Sequence, residues 1–161
     1  MAFVSGPRQC GKTTFAKMLL DSRKSEAYFN WDNINFRRTW VKNPSEIIPE
    51  KKGKTPLVVL DEIHKDRRWK RNLKGVYDTL DAPCDILVTG SARLNVYKKG
   101  SDSLLGRYFH FRLHPFSLRE LTNHLPNIPE NLIESLFDRS LNTKKSWRQE
   151  CNNFMKYGPF P

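Results

Sequence analysis

Residues 1–14 read Met1-Ala-Phe-Val-Ser-Gly-Pro-Arg-Gln-Cys-Gly-Lys-Thr-Thr14, a short apolar run followed by a loop that lies between two glycines and ends in lysine and threonine. The spacing Gly6-x4-Gly11-Lys12-Thr13 fits the pattern G-x-x-x-x-G-K-[ST], in which glycines let backbone N–H groups turn toward bound phosphates. The helix expected after the loop would begin with the positive end of its dipole at the same place. This stretch therefore predicts a phosphate-binding loop.

The residue types of the loop suit a nucleotide bound with a metal ion. Lys12 is a flexible positive charge that reaches the β- and γ-phosphates, and the Thr13 hydroxyl is a hard oxygen ligand for Mg²⁺. The alternative is a surface turn that matches the pattern by chance, but the apolar run before the loop and the helical spacing of apolar residues after it favour nucleotide binding. The residues that we expect to hold ATP are Gly6, Pro7, Arg8, Gln9, Cys10, Gly11, Lys12, Thr13 and Thr14.

Composition limits the class of protein. A chain of 161 residues is long enough for one α/β domain, and a net charge of +11 favours an anionic partner, whether nucleotide, nucleic acid or an acidic protein surface. Cys10, Cys84 and Cys151 lie far apart, which indicates neither a disulfide framework nor a zinc site and fits a reducing cytoplasm. Cys10 is either a reactive thiolate stabilised beside Lys12 or simply a small residue in a loop. Neither a signal peptide nor an apolar run near 18 residues occurs, so we expect no membrane association.

The second anchor of the sequence is Pro56-Leu-Val-Val-Leu-Asp-Glu62. Four consecutive apolar residues are typical of a strand buried on both faces of a parallel sheet. In P-loop proteins the acid that ends such a strand meets the magnesium ion held by the loop threonine, so we assign Asp61 to Mg²⁺. Glu62, one residue later, would polarise an attacking water. The alternative for both carboxylates is the acidic first turn of a helix.

A basic helix is predicted next, over residues 66–80, because Trp69, Leu73, Val76 and Leu80 recur at intervals of three and four. Its other face is either solvated or a surface that neutralises the phosphates of a nucleic acid. His64, just before it, would couple the nucleotide site to this helix or have no role. The basic residues are Arg67, Arg68, Lys70, Arg71 and Lys74.

The remaining elements complete an α/β pattern. We predict strands at residues 2–4, 27–31, 84–92 and 108–113, and helices at residues 14–20, 34–41, 118–122, 130–141 and 144–156. Ser45 is a predicted N-cap for one short turn. Residues 123–129 form a Pro/Asn-rich linker and the best candidate for a boundary. Because the chain enters a buried strand almost at once and ends in Tyr157-Gly-Pro-Phe-Pro161, we expect it to be a piece of a longer protein.

Four motifs in this order carry a family resemblance. They are Gly6-Pro-Arg-Gln-Cys-Gly-Lys-Thr-Thr14, Leu60-Asp-Glu-Ile-His-Lys65, Val88-Thr-Gly-Ser-Ala-Arg93, and Leu105-Gly-Arg107 followed by Leu113-His-Pro-Phe-Ser117. The chain resembles the prokaryotic AAA+ type ATPases, and more narrowly the archaeal and bacterial group whose ATPase core precedes a C-terminal domain of unknown function. The resemblance covers residues 1–125.

The resemblance implies a fold and further site residues. The fold is the P-loop NTPase three-layer α/β sandwich, a parallel five-stranded sheet in the order 5-1-4-3-2 with helices on both faces. Walker A runs from Gly6 to Thr13 and Walker B ends at Asp61 and Glu62. Ser91 takes the polar sensor position. Residues 1–125 form the ATPase core without the usual preceding helix, and residues 126–161 form a helical extension toward a missing domain.

Arg107 matches the arginine that this group carries before its fifth strand. The resemblance implies an arginine finger that acts on the ATP of a neighbouring subunit in a homo-oligomer, so an isolated subunit would be slow. A local salt bridge is the alternative.

Three functions follow as hypotheses. The leading one is a Mg²⁺-dependent ATPase that converts its nucleotide state into altered contacts with a partner, with DNA as a candidate. The second is a P-loop kinase for a small molecule or a nucleoside, which the adjacent carboxylates and the absence of an arginine-rich lid disfavour. The third is a nucleic-acid-binding module that does not respond to nucleotide and depends on the basic helix.

Overall fold

The computed structural model describes residues 1–24, 27–49, 55–91, 104–121 and 145–158. Contacts divide the chain into two compact units, Met1–His114 and Pro115–Pro161. The predicted linker at residues 123–129, which contains the predicted domain boundary, and the predicted helix at residues 130–141 lie outside the described residues. No helix in the described parts is long and apolar enough to cross a bilayer.

The strands are β1 (Ala2–Ser5), β2 (Ala27–Asn30), β3 (Leu57–Asp61), β4 (Asp85–Gly90) and β5 (Phe109–Arg112). They form one five-stranded sheet in the order β2-β3-β4-β1-β5, and every pairing is parallel. This is the predicted order 5-1-4-3-2 read from the opposite side, so the fold prediction is confirmed. β3 is buried along its whole length because it lies inside the sheet with both faces covered.

The helices are α1 (Lys12–Arg23), α2 (Ile34–Lys42), α3 (Trp69–Asp78), α4 (Leu118–Leu121) and α5 (Lys145–Tyr157). Short 3₁₀ turns at Pro44–Ile47 and Ile63–Lys65 follow α2 and β3. The helices predicted at residues 34–41 and 144–156 are confirmed within one residue at each end. The prediction that Ser45 caps the turn at Pro44–Ile47 is wrong. Asn43 caps this turn, because its side chain accepts a hydrogen bond from the Ser45 amide.

Two apolar clusters form the core, one on each face of the sheet. Val4 and Val59 pack with Ala16 and Leu20 of α1 on one face. On the other face the sheet packs against α2 and α3, through a cluster that contains Phe3, Val58, Leu60, Val88, Phe36, Trp40, Trp69 and Leu73. The three layers predicted from the resemblance are therefore present.

The start of α3 differs from the prediction, since the helix begins at Trp69 rather than at residue 66. Asp66 has an extended backbone, and its carboxylate accepts hydrogen bonds from the Trp40 indole at 3.0 Å and from the Arg68 amide at 2.9 Å. Asp66 thus ties α2 to the turn before α3. A partner from a different element decides this boundary, and apolar periodicity does not reveal it.

Candidate active site

The loop between β1 and α1 turns through two left-handed residues, Gln9 with φ 62° and Gly11 with φ 87°. Gly11 is the N-cap of α1 and has no side chain with which to cap the first-turn amides. Those amides and the positive end of the helix dipole are therefore left for an anion. This is the local geometry that the glycine spacing predicts.

Gly6 is required for a reason that the motif does not reveal. A Cβ atom at this position would lie 2.3 Å from the carbonyl oxygen of Leu113 and 2.9 Å from the Cys10 sulfur. Leu113 follows β5, and its amide donates to the Ser5 carbonyl at 2.7 Å. The segment after β5 therefore packs directly on the loop, and Cys10 is buried beside it, which favours the small-residue interpretation of that cysteine.

Lys12 is buried, with only 7% of its surface exposed, although lysine is rarely buried without a partner. Its ammonium group donates a hydrogen bond to the Pro7 carbonyl and lies 3.7 Å from the Cys10 sulfur. The loop thus encloses one positive charge, as the motif predicts.

Thr13 and Asp61 meet at the carboxyl end of the sheet. The Thr13 hydroxyl donates to Asp61 Oδ2 at 2.9 Å, although 48 residues separate the two in sequence. Asp61 is only 2% exposed. The structure therefore brings together the two side chains that the sequence analysis assigned to Mg²⁺.

Three residues that the sequence analysis did not connect with Asp61 lie around its carboxylate. Thr89 Oγ1 donates to Oδ1 at 2.6 Å, the Tyr28 hydroxyl donates to Oδ2 at 2.7 Å, and Asn30 Nδ2 lies 3.4 Å from Oδ2. Burial raises the pKa of the Tyr28 hydroxyl, and the hydrogen bond to Asp61 raises it further, so the phenol remains a donor. Asn30 and Thr89 had a sequence signal, a polar residue near the end of each strand that flanks β3, whereas Tyr28 lies two residues before the end of β2 and had none.

Glu62 follows Asp61 in a left-handed conformation, with φ 59°, which is uncommon for a residue with a side chain. Its amide donates to the Thr89 carbonyl at 2.9 Å and fixes this turn to β4. The Glu62 carboxylate lies 3.7 Å from His64 Nε2 and 3.9 Å from the Lys65 ammonium. Strained backbone of this kind clusters at functional sites.

Ser91 lies next to Glu62 and His64, since its hydroxyl is 3.3 Å from His64 Nε2. The hydroxyl that contacts Asp61 belongs to Thr89, two residues earlier. The end of β4 with Ser91 is the predicted sensor segment. Within it, Thr89 donates a hydrogen bond to Asp61, whereas Ser91 lies beside His64 and Glu62.

Arg107 lies away from the phosphate-binding loop of its own chain, at the amino end of the sheet. Its carbonyl accepts a hydrogen bond from the Met1 amino group at 3.1 Å, just before β5 begins. Its guanidinium binds both oxygens of Asp78 at the end of α3, at 2.7 and 3.1 Å. The local salt bridge that the sequence left open is thus present, and Arg107 does not join the other predicted site residues within this chain.

The predicted nucleic-acid residues lie on and just before α3. Trp69, Leu73 and Val76 of this helix are buried. Arg67, Arg68 and Arg71 are exposed, whereas Lys70 and Lys74 are partly exposed. Lys70 lies over the Trp69 ring at 5.8 Å, and Lys74 pairs with Asp78 at 3.8 Å. The basic face therefore exists as a surface opposite the core.

The oxygen donors at the loop fit a magnesium ion that is shared with a nucleotide. Mg²⁺ usually takes one or two protein oxygens and completes its coordination with water and phosphate. Thr13 and Asp61 supply such a pair beside the buried Lys12. Among the described residues, no group of three His, Cys, Asp or Glu side chains is placed to hold a metal without phosphate.

Comparison with known proteins agrees with this geometry. Residues 1–122 match a family model described as an AAA domain. The uncharacterized protein MJ1637 of Methanocaldococcus jannaschii is 29% identical over 145 residues, which cover 83% of this chain and 29% of the relative. An uncharacterized protein of Haemophilus influenzae is 22% identical, with 98% of this chain and 38% of the relative covered. The chain spans about three to four tenths of the length of these curated relatives.

A solved structure supports the fold. The crystal structure of the FIGL-1 AAA domain in complex with ADP is similar, with a TM-score of 0.50 and 14% identity over 76% of this chain and 45% of that chain. At this identity the likeness shows the fold alone. The family match covers most of the sequence and includes the phosphate-binding loop, the β3 acids and the sensor segment. The chain therefore belongs to the AAA domain family and carries an AAA-type ATPase module over residues 1–122.

Proposed function

We propose that this module binds ATP with Mg²⁺, hydrolyses it and changes its contacts with a partner according to the bound nucleotide. The observation that carries the proposal is the 2.9 Å hydrogen bond from Thr13 to Asp61 beside the buried Lys12. The phosphate-binding loop, two hard oxygen ligands and the positive charge of Lys12 thus lie together at the carboxyl end of the sheet. Ligands of parallel α/β folds bind at this end.

Each residue then has a chemical role. The loop amides from Gly6 to Thr14 bind the phosphates, and the Lys12 ammonium exchanges the Pro7 carbonyl for a phosphate oxygen. Thr13 and Asp61 hold Mg²⁺, which when bound neutralises charge on the β- and γ-phosphates. Glu62 accepts a proton from the attacking water, and the Ser91 hydroxyl orients the terminal phosphate.

The module would be complete only in an assembly. Because Arg107 lies away from the loop of its own chain, it would serve as an arginine finger for a neighbouring copy, with a gain of about 10³-fold or more. We further propose an ATPase core at residues 1–125, with residues 126–161 as a separate region. A cytoplasmic location stays a prediction.

Nucleotide binding tests the first step of this proposal. Replacing Lys12 with alanine should weaken ATP binding about 10- to 100-fold, because a charge-assisted contact to phosphate is lost. Lys42→Ala is the matched control, since it removes an exposed lysine at the end of α2. Phosphate release from ATP without an added acceptor would separate hydrolysis from kinase chemistry. Equal affinities for Lys12→Ala and the control would contradict the proposed role of the loop.

The exposed basic face of α3 favours nucleic-acid binding as a second candidate function. Arg67, Arg68 and Arg71 lie outside the core, where each could neutralise one phosphate. We expect DNA affinity to fall steeply with salt, and the triple replacement by glutamine to lower both the affinity and the salt slope. Fluorescence anisotropy with and without ATP would decide whether this binding depends on nucleotide, as the partner hypothesis requires, or is independent of it.

A further inference from the structure

We propose that Tyr28 is a positioning residue for magnesium: its hydroxyl holds the Asp61 carboxylate toward the phosphate-binding loop, so that tight binding of the Mg²⁺ form of the nucleotide depends on it. This inference rests on the proposed function, because it assumes that Asp61 and Thr13 hold the ion. It assigns a role to a residue within β2, two positions before the strand ends and outside the motifs that identify the family.

The two oxygens of Asp61 are fixed from different sides. Thr89 donates to Oδ1 at 2.6 Å, and Tyr28 donates to Oδ2 at 2.7 Å. With at least one donor on each oxygen, the carboxylate cannot rotate without breaking a hydrogen bond. Oδ2, the oxygen held by Tyr28, is also the one that Thr13 contacts at 2.9 Å. Tyr28 therefore acts on the oxygen nearest the loop.

Strand register explains why a tyrosine is suitable here. Asn30 is directly opposite Asp61, whereas Tyr28 is opposite Val59, one side-chain pair further back on the same face. A residue in that place needs a long, rigid side chain with a terminal donor to reach the end of β3. The Lys17 ammonium of α1 lies 5.7 Å from the Tyr28 ring and helps to cover it.

The other β2 side chain near this oxygen, Asn30, makes a longer contact than the phenol does. Asn30 Nδ2 lies 3.4 Å from Asp61 Oδ2 and 3.5 Å from the Tyr28 oxygen, beyond the usual length of an N–H···O hydrogen bond. Residues that orient a ligating side chain typically contribute about 10- to 100-fold to metal affinity. Loss of the Tyr28 hydroxyl should therefore affect magnesium, whereas the loop that binds the phosphates stays intact.

The test compares wild type with Tyr28→Phe, which removes one oxygen and keeps the ring. ATP affinity is measured by calorimetry in EDTA and over a series of Mg²⁺ concentrations. We expect the Mg²⁺ concentration at half-maximal enhancement of ATP binding to rise about 10-fold or more, with the affinity in EDTA unchanged. Tyr157→Phe, which removes an exposed hydroxyl in the other unit, should leave both values unchanged.

A double-mutant cycle separates the possible outcomes. In an Asp61→Asn background, Tyr28→Phe should have little further effect on the Mg²⁺ dependence, because the oriented carboxylate is already lost. If Tyr28→Phe binds Mg²⁺ and ATP as wild type does, or lowers the affinity in EDTA equally, the inference is wrong although the proposed function stands. If wild type itself does not bind ATP, the proposed function fails and the inference fails with it.

Discussion

The two ends of the parallel sheet hold their charged groups in opposite ways. At the carboxyl end, Asp61 is 2% exposed and accepts hydrogen bonds from loop and strand residues of its own chain. At the amino end, Arg107 pairs with Asp78, and their side chains are 32% and 36% exposed. The first arrangement surrounds a buried carboxylate with hydrogen-bond donors, and the second is an ion pair at the surface.

This difference bears on how much of the reaction one subunit contains. The buried network needs nothing from outside the chain to place Lys12, Thr13 and Asp61 together. The guanidinium of Arg107 is balanced by the Asp78 carboxylate and lies near the start of β5, so as an arginine finger it would reach a nucleotide only on another molecule. We infer that the proposed binding site at the carboxyl end is built from one chain and that the amino end contributes in trans.

We expect the largest effect from a substitution that slows ATP hydrolysis at the carboxyl end and leaves ATP binding unchanged. Glu62→Gln removes the proposed general base, and such groups contribute about 10²- to 10⁴-fold to rates. We expect single-turnover phosphate release to fall by about that factor, with ATP affinity unchanged. Glu46→Gln, on an exposed turn after α2, is the control. A rate for Glu62→Gln equal to that of wild type would contradict the assignment.

The next largest effect is on the free energy of unfolding without nucleotide, which we expect to differ between substitutions at the two ends. Asp61→Ala leaves the buried Thr89 hydroxyl without its acceptor, so the free energy of unfolding should fall by about 1–3 kcal/mol. Asp78→Ala removes only the exposed ion pairs with Arg107 and Lys74, and such pairs contribute little. Urea denaturation of both variants measures the contrast. Equal losses of stability would mean that the buried network is not the stronger of the two.

Part of this contrast could be predicted from sequence. Motif spacing located Lys12 and Thr13, and the apolar run before Asp61 identified β3 as a buried strand. Tyr28 was not found, because the sequence around it shows only a short strand. It reaches Asp61 because β2 lies beside β3, and composition does not specify which oxygen a side chain will bind.

Contacts between distant elements also explain the other differences. Asp66 was placed inside a helix by periodicity, but its bond to the Trp40 indole holds it in the preceding turn. Arg107 was known to follow a glycine and to precede a strand. Its partner Asp78 lies 29 residues away at the end of α3, and only the packed structure identifies it.

The smallest effect concerns pH at the amino end. The hydrogen bond from Arg107 holds the pKa of the Asp78 carboxyl below its usual value. A carboxyl whose pKa is lower in the folded state stabilises the protein above its unfolded pKa, and this contribution is lost as pH falls through the folded pKa. We therefore expect urea midpoints of wild type to fall slightly more than those of Asp78→Asn between about pH 6 and about pH 3.

Salt provides the control for that measurement. The pair is exposed, so the difference between wild type and Asp78→Asn should shrink as ionic strength rises. If the variant loses as much stability as wild type on acidification, the ion pair does not contribute to the stability of this end.

Subunit complementation tests most directly whether the two ends act in different molecules. Glu62→Gln keeps Arg107 but lacks the general base, and Arg107→Ala keeps the base but lacks the guanidinium. Each variant alone should be inactive at a concentration where wild type hydrolyses ATP, and a mixture should regain activity that rises more than linearly with total protein. A mixture as inactive as its components, or an Arg107→Ala variant as active as wild type, would contradict catalysis in trans.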